Sequence, residues 1–116
     1  MNKLKLAKIG EKIAVYYLIT KKYLILAKNV RFKEGEIDII AFLKEYLVFV
    51  EVKTRKSFNF GYPEEAFNEI KKQRLFDAIN KYIYRNNYLG EWQVDLITIV
   101  IKNNKAWLRH YKSVEL

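Results

Sequence analysis

Hydrophobic and polar residues follow two different periods along the chain, and the changes of period divide it into helices and strands. Near the start, Ala7, Glu11, Ala14 and Leu18 recur at three- and four-residue spacings, which places them on one face of a helix. Shorter runs rich in branched and aromatic residues indicate strands. The pattern predicts a helix over residues 4–20, strands over 23–30, 35–42 and 47–53, a helix opening at 63–65, and strands over 94–100 and 105–110.

The second helix is predicted from its first turn and from its apolar stripe. Pro63 fits the first turn of a helix, and Glu64 and Glu65 complement the positive end of the helix dipole. Residues 54–61 lack a clear period and are predicted to form a loop. The stripe that we expect to face the sheet consists of Leu75, Ala78, Ile79, Tyr82 and Ile83.

The order of the elements indicates the fold class. Three successive strands precede the second helix, which favours a mixed α/β sheet over a doubly wound parallel one. The third strand, residues 47–53, is apolar on both faces until Glu51, and this is typical of a central strand covered on both sides. We therefore predict one α/β domain over residues 1–116, with helices flanking a mixed central sheet of about five strands.

Composition narrows the possible chemistry. The chain has 116 residues, 51% of them hydrophobic, and can bury a core as one domain. It has no cysteine and a single histidine, which excludes disulfides, thiolate metal sites and zinc sites of several histidines. The net charge of +9 favours a polyanionic partner, although a basic surface that only keeps the protein soluble explains it equally well. No stretch resembles a membrane span or a signal peptide, so we expect a cytoplasmic protein that does not bind membranes.

Three charged residues interrupt apolar strands: Asp38 in the second strand, and Glu51 and Lys53 in the third. Alternate residues of a strand share a face, so Glu51 and Lys53 project together while Val52 points the other way. A buried carboxylate needs a cation or hydrogen bonds, and carboxylates on neighbouring strands suit the oxygen coordination of Mg²⁺. The alternative is an exposed Glu51–Lys53 ion pair on an edge strand, with Asp38 as an ordinary acid beside a turn.

The same residues carry a resemblance to known nucleases. The run GEIDII followed by LVFVEVKTR resembles the signature of the PD-(D/E)xK superfamily, with the acid Asp38 placed 13 positions before the Glu51 of the E-x-K triplet. More narrowly, the chain is similar to the YraN family from about Gly10 to Ile99. The motifs that carry this similarity lie at residues 10–11, 29–31, 35–38, 50–55, 71 and 94–95.

The resemblance implies a restriction-endonuclease-like fold and a set of residue roles. Asp38 and Glu51 would bind a divalent metal ion, Mg²⁺ or Mn²⁺, with help from the Val52 carbonyl and from Glu11 on the first helix. Lys53 would either deprotonate or orient the attacking water, or stabilise the charge that develops on the phosphate. For Glu11 the alternative is a solvated glutamate on the helix surface.

Basic residues near this set are the predicted nucleic-acid contacts. Lys71 precedes the inward stripe of the second helix, and the resemblance suggests a phosphate contact; alternatively, its stem covers the end of the stripe. Phe58, Phe60 and Tyr62 can stack on bases or fold the loop onto its own domain. The predicted backbone contacts are Arg55, Lys56, Lys71, Lys72 and Arg74, with Gln73 beside them.

Two other polar residues are weaker candidates. Asp95 begins an apolar strand, and we expect it to pair locally with an arginine or lysine rather than to bind metal. His110 can contact phosphate, but the sequence shows no group that would support it in such a role.

Three functions follow in order of preference. The first is metal-dependent hydrolysis of DNA, favoured over RNA. The chain is also similar to archaeal Holliday-junction resolvases, which implies that the nuclease could be selective for branched DNA. Cutting a junction requires two active sites, so such a nuclease would act as a homodimer. The second is a nucleic-acid-binding accessory of recombination, repair or DNA uptake that keeps the nuclease scaffold without turnover. The third is a protein-interaction subunit whose strand charges serve stability alone.

Overall fold

The computed structural model describes residues 2–58 and 67–116. Within these residues, two helices and five strands follow the predicted order, which confirms the α/β fold class. The elements are α1 (Lys3–Thr20), β1 (Leu24–Arg31), β2 (Glu36–Leu43), β3 (Tyr46–Arg55), α2 (Glu69–Arg85), β4 (Glu91–Lys102) and β5 (Lys105–Tyr111).

The end of β3 and the start of α2 are the element boundaries that bear on the candidate site. The loop expected from residue 54 was wrong at its start, because Thr54 and Arg55 remain in β3 and pair with β4. The predicted opening of the second helix at Pro63 lies outside the described residues. Helix α2 begins at Glu69, where the Asn68 side chain accepts a hydrogen bond from the backbone N–H of Lys71 at 3.0 Å.

The five strands form one mixed sheet in the order β1-β2-β3-β4-β5. Strands β3 and β4 are parallel, with α2 as the connection between them, and the other neighbours are antiparallel. The central position predicted for the third strand is therefore confirmed, and the edge-strand alternative for Glu51 and Lys53 was wrong. Their side chains belong to the middle strand of the sheet.

The two helices cover opposite faces of the sheet. On one face α2 buries Leu75, Ala78 and Ile79, with Tyr82 and Ile83 packed at the margin, which confirms the predicted stripe. On the other face α1 buries Ala14 and Leu18. Sheet residues of the α2 face are Ile37, Ile40, Leu47, Phe49, Val94 and Leu96, and those of the α1 face are Ile39, Ala41, Val48, Val50, Ile97 and Ile99.

Helix α1 packs on the sheet through a face slightly rotated from the predicted one. Its buried residues are Leu6, Gly10, Ala14 and Leu18, so Ala7 is exposed and Glu11 only half-buried. Gly10 explains the difference, because a Cβ there would lie 2.0 Å from Thr54 Oγ1 of β3. The glycine brings the helix backbone close to the C-terminal part of β3.

Asp95 is fully buried and its carboxylate accepts four hydrogen bonds. The expected arginine or lysine partner was wrong, because His110 Nε2 lies 2.7 Å from Asp95 Oδ2. Burial alone would raise the pKa of Asp95, but the hydrogen bonds, led by that of His110, outweigh it and hold the pKa below its usual value. The other donors are the Tyr23 hydroxyl at 3.3 Å, the Gln93 amide at 2.8 Å and the Ser113 N–H at 3.1 Å.

His110 thus has a supporting constellation, contrary to the sequence-based expectation. Its Nδ1 lies 3.0 Å from the hydroxyl of Tyr17 on α1, and its Nε2 binds Asp95 on β4. The ring is almost completely buried among these partners and therefore ties α1 to β4 and β5. None of the helices within residues 2–58 and 67–116 combines the length and apolarity that crossing a bilayer requires.

We expect Asp95→Asn to lower the free energy of unfolding by at least about 2 kcal/mol at pH 7, because it removes the charge from several buried hydrogen bonds. The pKa of Asp95 is lower in the folded than in the unfolded chain. Its contribution is therefore complete above about pH 5 and is lost as the pH falls through the folded value. Urea unfolding between about pH 3 and 7 measures it: the gap between wild type and variant narrows in acid. A gap that stays constant with pH would contradict this assignment.

Candidate metal and nucleic-acid site

Strands β2 and β3 separate at Asp38. Their pairing ends with Ile39 opposite Val50, so Asp38 and Glu51 occupy the next positions along the two strands. Just beyond the last backbone pair, a side chain makes the next link between the two strands. Asp38 Oδ2 accepts a hydrogen bond from the Val52 N–H at 2.8 Å. Asp38 is therefore held against β3 by its own carboxylate.

Two negative groups meet at this position. Burial and the nearby Glu51 carboxylate raise the pKa of Asp38 to about 8, although the bond from the Val52 N–H opposes the rise. A carboxyl group with so high a pKa is short of positive partners. The pair Asp38 and Glu51, predicted from sequence to lie together, is therefore brought together by the fold.

Lys53 lies on the same face of β3 as Glu51, as the alternation along the strand predicts. Its Nζ is 3.1 Å from Glu51 Oε2, and only 15% and 13% of the two side chains are exposed. Val52 points the other way and packs against the α1 core. One carboxylate of the pair thus has an ammonium partner, whereas Asp38 relies on a backbone N–H.

Glu11 approaches from α1 but is held by a residue that sequence reasoning left without a role. Asn29 Nδ2 donates to Glu11 Oε1 at 2.7 Å. In β1 the pairing passes from Lys28–Ile39 to Val30–Ile37, so Asn29 lies across from Asp38, with a left-handed backbone at φ 52°. Asparagine is a residue type that tolerates positive φ, and the motif at residues 29–31 was the sequence signal that pointed to this position.

Two cavities lie beside these residues, and Lys53 lines both. The cavity on the α1 side holds about 730 Å³ and is lined by Glu11, Asp38 and Val52, with Arg55 and Lys56 among its basic residues. The cavity on the α2 side holds about 410 Å³ and is lined by Glu51, Lys71 and Arg74 among others. The adjacent carboxyl groups of Asp38 and Glu51 therefore lie between the two cavities, with Asp38 lining the one and Glu51 the other.

No three Asp, Glu, His or Cys side chains gather as a metal site within residues 2–58 and 67–116. The donors that the structure brings together are Asp38 and Glu51, with Glu11 turned toward Asn29. Mg²⁺ commonly binds through one or two carboxylates and otherwise keeps its waters. A carboxylate pair beside a cavity is consistent with that mode of binding.

The predicted nucleic-acid contacts do not all gather at the site. Lys71 and Arg74 line the α2-side cavity, and Arg55 and Lys56 line the other. Lys72 lies apart, with its Nζ 3.9 Å from Glu69 Oε1 and above the ring of Phe67. Gln73 binds Asp77, and Phe58 makes an edge contact with Trp107, whereas Phe60 and Tyr62 lie outside the described residues.

The sequence profile of the uncharacterised protein family UPF0102 matches residues 10–99, which is most of the chain. The chain belongs to UPF0102. It is 43% identical over 115 residues to the UPF0102 protein of Carboxydothermus hydrogenoformans, covering 98% of each chain. It is 51% identical over 105 residues to the UPF0102 protein of Thermodesulfovibrio yellowstonii, covering 90% of this chain and 92% of the relative. Membership in UPF0102 confirms the resemblance to the YraN family.

In this UPF0102 chain we expect Asn29→Gly to be more stable than Asn29→Ala by about 1 kcal/mol, because only glycine adopts the left-handed backbone without cost. Both variants remove the hydrogen bond to Glu11, so the difference between their free energies of unfolding reports the cost of the left-handed backbone at residue 29. Urea unfolding at neutral pH measures it. Equal stability of the two variants would show that the backbone at residue 29 is not constrained.

Proposed function

We propose that this protein is a metal-dependent endonuclease that hydrolyses phosphodiester bonds of DNA. The observation that carries the proposal is the Asp38–Glu51 carboxyl pair, which lies beside the partly buried ammonium of Lys53 where β2 and β3 separate. Perturbed carboxyl groups beside a cavity are typical of functional sites. The net charge of +9 supports a nucleic acid as substrate, because cations that neutralise phosphates release bound counterions.

The donor set suits a hard divalent cation, Mg²⁺ or Mn²⁺. Asp38 and Glu51 would hold it, with the Val52 carbonyl and Glu11 as further oxygen donors. When bound, such an ion supplies Lewis-acid polarisation of the phosphodiester. It also supplies the positive charge that Asp38 lacks in the chain alone, since its pKa is raised by burial and by Glu51.

Lys53 acts through its charge in this proposal. Its Nζ is held 3.1 Å from Glu51 Oε2, and an ammonium in an ion pair is suited to donate hydrogen bonds to phosphate oxygens. Lys53 lines both cavities, including the one that Asp38 lines, so its ammonium would be near a substrate bound beside Asp38. Of the two roles left open by the sequence, the ion pair favours electrostatic stabilisation of the developing charge.

The substrate that fits this site best is DNA with a branched or single-stranded part. Within the described residues, the basic groups at the site line the walls of two cavities. Such groups contact the sugar–phosphate backbone, whereas sequence is read at base edges. A homodimer completes the proposal for junctions, since cutting two strands symmetrically needs two copies of the site.

We expect the protein to cleave DNA with Mg²⁺ or Mn²⁺ and to stop in EDTA. Asp38→Asn, Glu51→Gln and Lys53→Met each remove one charge from the site, and we expect each to lower the cleavage rate by at least about 100-fold. Gel assays on linear, single-stranded and branched DNA, with RNA alongside, measure the rates.

Lys81→Gln is the matched control for these cleavage assays. Lys81 is a lysine of α2 whose Nζ lies 3.4 Å from Glu34 Oε2. It lies about two turns beyond Arg74 and lines neither of the two cavities, so the variant should cleave at the wild-type rate. Binding of all these substrates without cleavage under any metal condition would contradict the proposal. It would favour the accessory nucleic-acid-binding module instead.

We expect Asp38→Asn to raise stability in EDTA by about 1–3 kcal/mol at pH 8, because it removes a buried carboxyl that faces Glu51. The pKa of Asp38 is higher in the folded than in the unfolded chain. The stability it contributes is therefore complete below about pH 4 and is lost as the pH rises through about 8, so the gain from asparagine grows across this window.

Thermal unfolding measures this gain with and without Mg²⁺. Mg²⁺ should raise the melting temperature of the wild type and leave Asp38→Asn unchanged, since a ligand stabilises only the folded chain that binds it. The control is Asp77→Asn, which removes an acid of α2 that binds Gln73. An equal Mg²⁺ response in wild type and Asp38→Asn would exclude Asp38 as a ligand.

A further inference from the structure

The cavity on the α2 side of β3 is a distinct place on the molecule. It holds about 410 Å³ and is bounded by the turn between β1 and β2, by β3 and by the first turns of α2. The turn approaches α2 closely at Gly35, where a Cβ would lie 2.5 Å from the carbonyl oxygen of Arg74. That contact forms one wall of the cavity, which is therefore built into the fold.

The charged groups of this cavity are unbalanced. Its two acids each have a cation, since Arg31 lies 3.5 Å from Glu36 and Lys53 lies 3.1 Å from Glu51. Lys71 and Arg74 also line it, and within residues 2–58 and 67–116 neither forms an ion pair with a carboxylate. In the described part of the chain the cations lining this cavity therefore outnumber its acids by four to two, even though the Glu51 carboxylate also attracts Lys71. The side chains of Lys71 and Arg74 are both exposed and accessible to a ligand.

The surplus charge is concentrated next to the proposed catalytic lysine. Partial burial and then the neighbouring cations Lys53 and Arg55 lower the pKa of Lys71. The Asn68 cap fixes the first turn of α2 and with it the position of Lys71. Like charges crowded in a cavity favour an anion, and an arginine with a lysine suits phosphate oxygens.

We propose that Lys71 and Arg74 form a second phosphate site on the α2 side of β3, which holds a backbone phosphate of the strand whose scissile phosphate lies beside Asp38. This inference rests on the proposed function for the identity of the ligand. Lys53 lines both cavities and therefore stands between the two phosphates. One nucleic-acid strand would then cross β3 and contact both sides of it.

The site is tested by binding, without cleavage. A short fluorescein-labelled single-stranded oligodeoxynucleotide is titrated in EDTA, at salt concentrations between about 50 and 200 mM. The double variant Lys71→Gln, Arg74→Gln should bind about 10-fold more weakly, as expected when charged hydrogen bonds are removed. Its affinity should also depend less on salt, with a log–log slope smaller by about 0.7, because one phosphate of the strand is no longer neutralised by the protein.

Lys81→Gln on the same helix is the matched control, because it removes a positive charge away from the cavity and should change neither affinity nor slope by comparable amounts. Wild-type affinity in the double variant would overturn the second site, and so would an equal loss of affinity in the control. Cleavage by the wild type with an unaffected double variant overturns only this site. Binding that depends on Lys71 and Arg74 without any cleavage overturns only the nuclease proposal.

Discussion

The close placement of two carboxyl groups at the point where two strands of the sheet separate is the constraint on which the candidate site depends. Asp38 and Glu51 take the first positions beyond the paired part of β2 and β3, where like charges directly opposite are destabilising. The two strands separate at these residues, and the Asp38 carboxylate accepts a hydrogen bond from the Val52 N–H. Within residues 2–58 and 67–116, the carboxylate that forms an ion pair with Lys53 is that of Glu51. The fold therefore leaves Asp38 short of positive charge beside an open cavity.

The elements around this pair are brought close by small and conformationally tolerant residues. Gly10 lets the backbone of α1 approach Thr54 of β3, which no larger residue permits without a shift. One residue later on the helix, Glu11 reaches Asn29 of β1. Asn29 in turn adopts a left-handed backbone opposite Asp38, and such strain concentrates at functional sites. A close approach and a strained strand thus place Glu11 near the carboxyl pair.

The hydrophobic periodicity of the sequence was sufficient to predict features that depend on residues close together along the chain. Glu51 and Lys53 share a face because side chains alternate along a strand, and the central position of β3 followed from its apolar run. Long-range partners were not predictable in this way. Tyr17 and His110 are 93 residues apart, so the network of His110 was missed. The rotation of α1 was also missed, because the period of the helix does not show that Gly10 must face Thr54.

Two aspartates of one sheet, Asp95 fully buried and Asp38 half-buried, differ in the partners that surround them. Both are desolvated, and burial by itself raises the pKa of each. Asp95 accepts four hydrogen bonds, one of them from His110, and its pKa ends below the usual value. Asp38 accepts one hydrogen bond, from the Val52 N–H, and faces the Glu51 carboxylate, and its pKa is raised to about 8. For Asp38, burial and the Glu51 carboxylate outweigh the single backbone donor, whereas for Asp95 the donors outweigh burial. A carboxylate supplied with donors needs nothing further, whereas the one that faces a second carboxylate is where our proposal places a divalent cation.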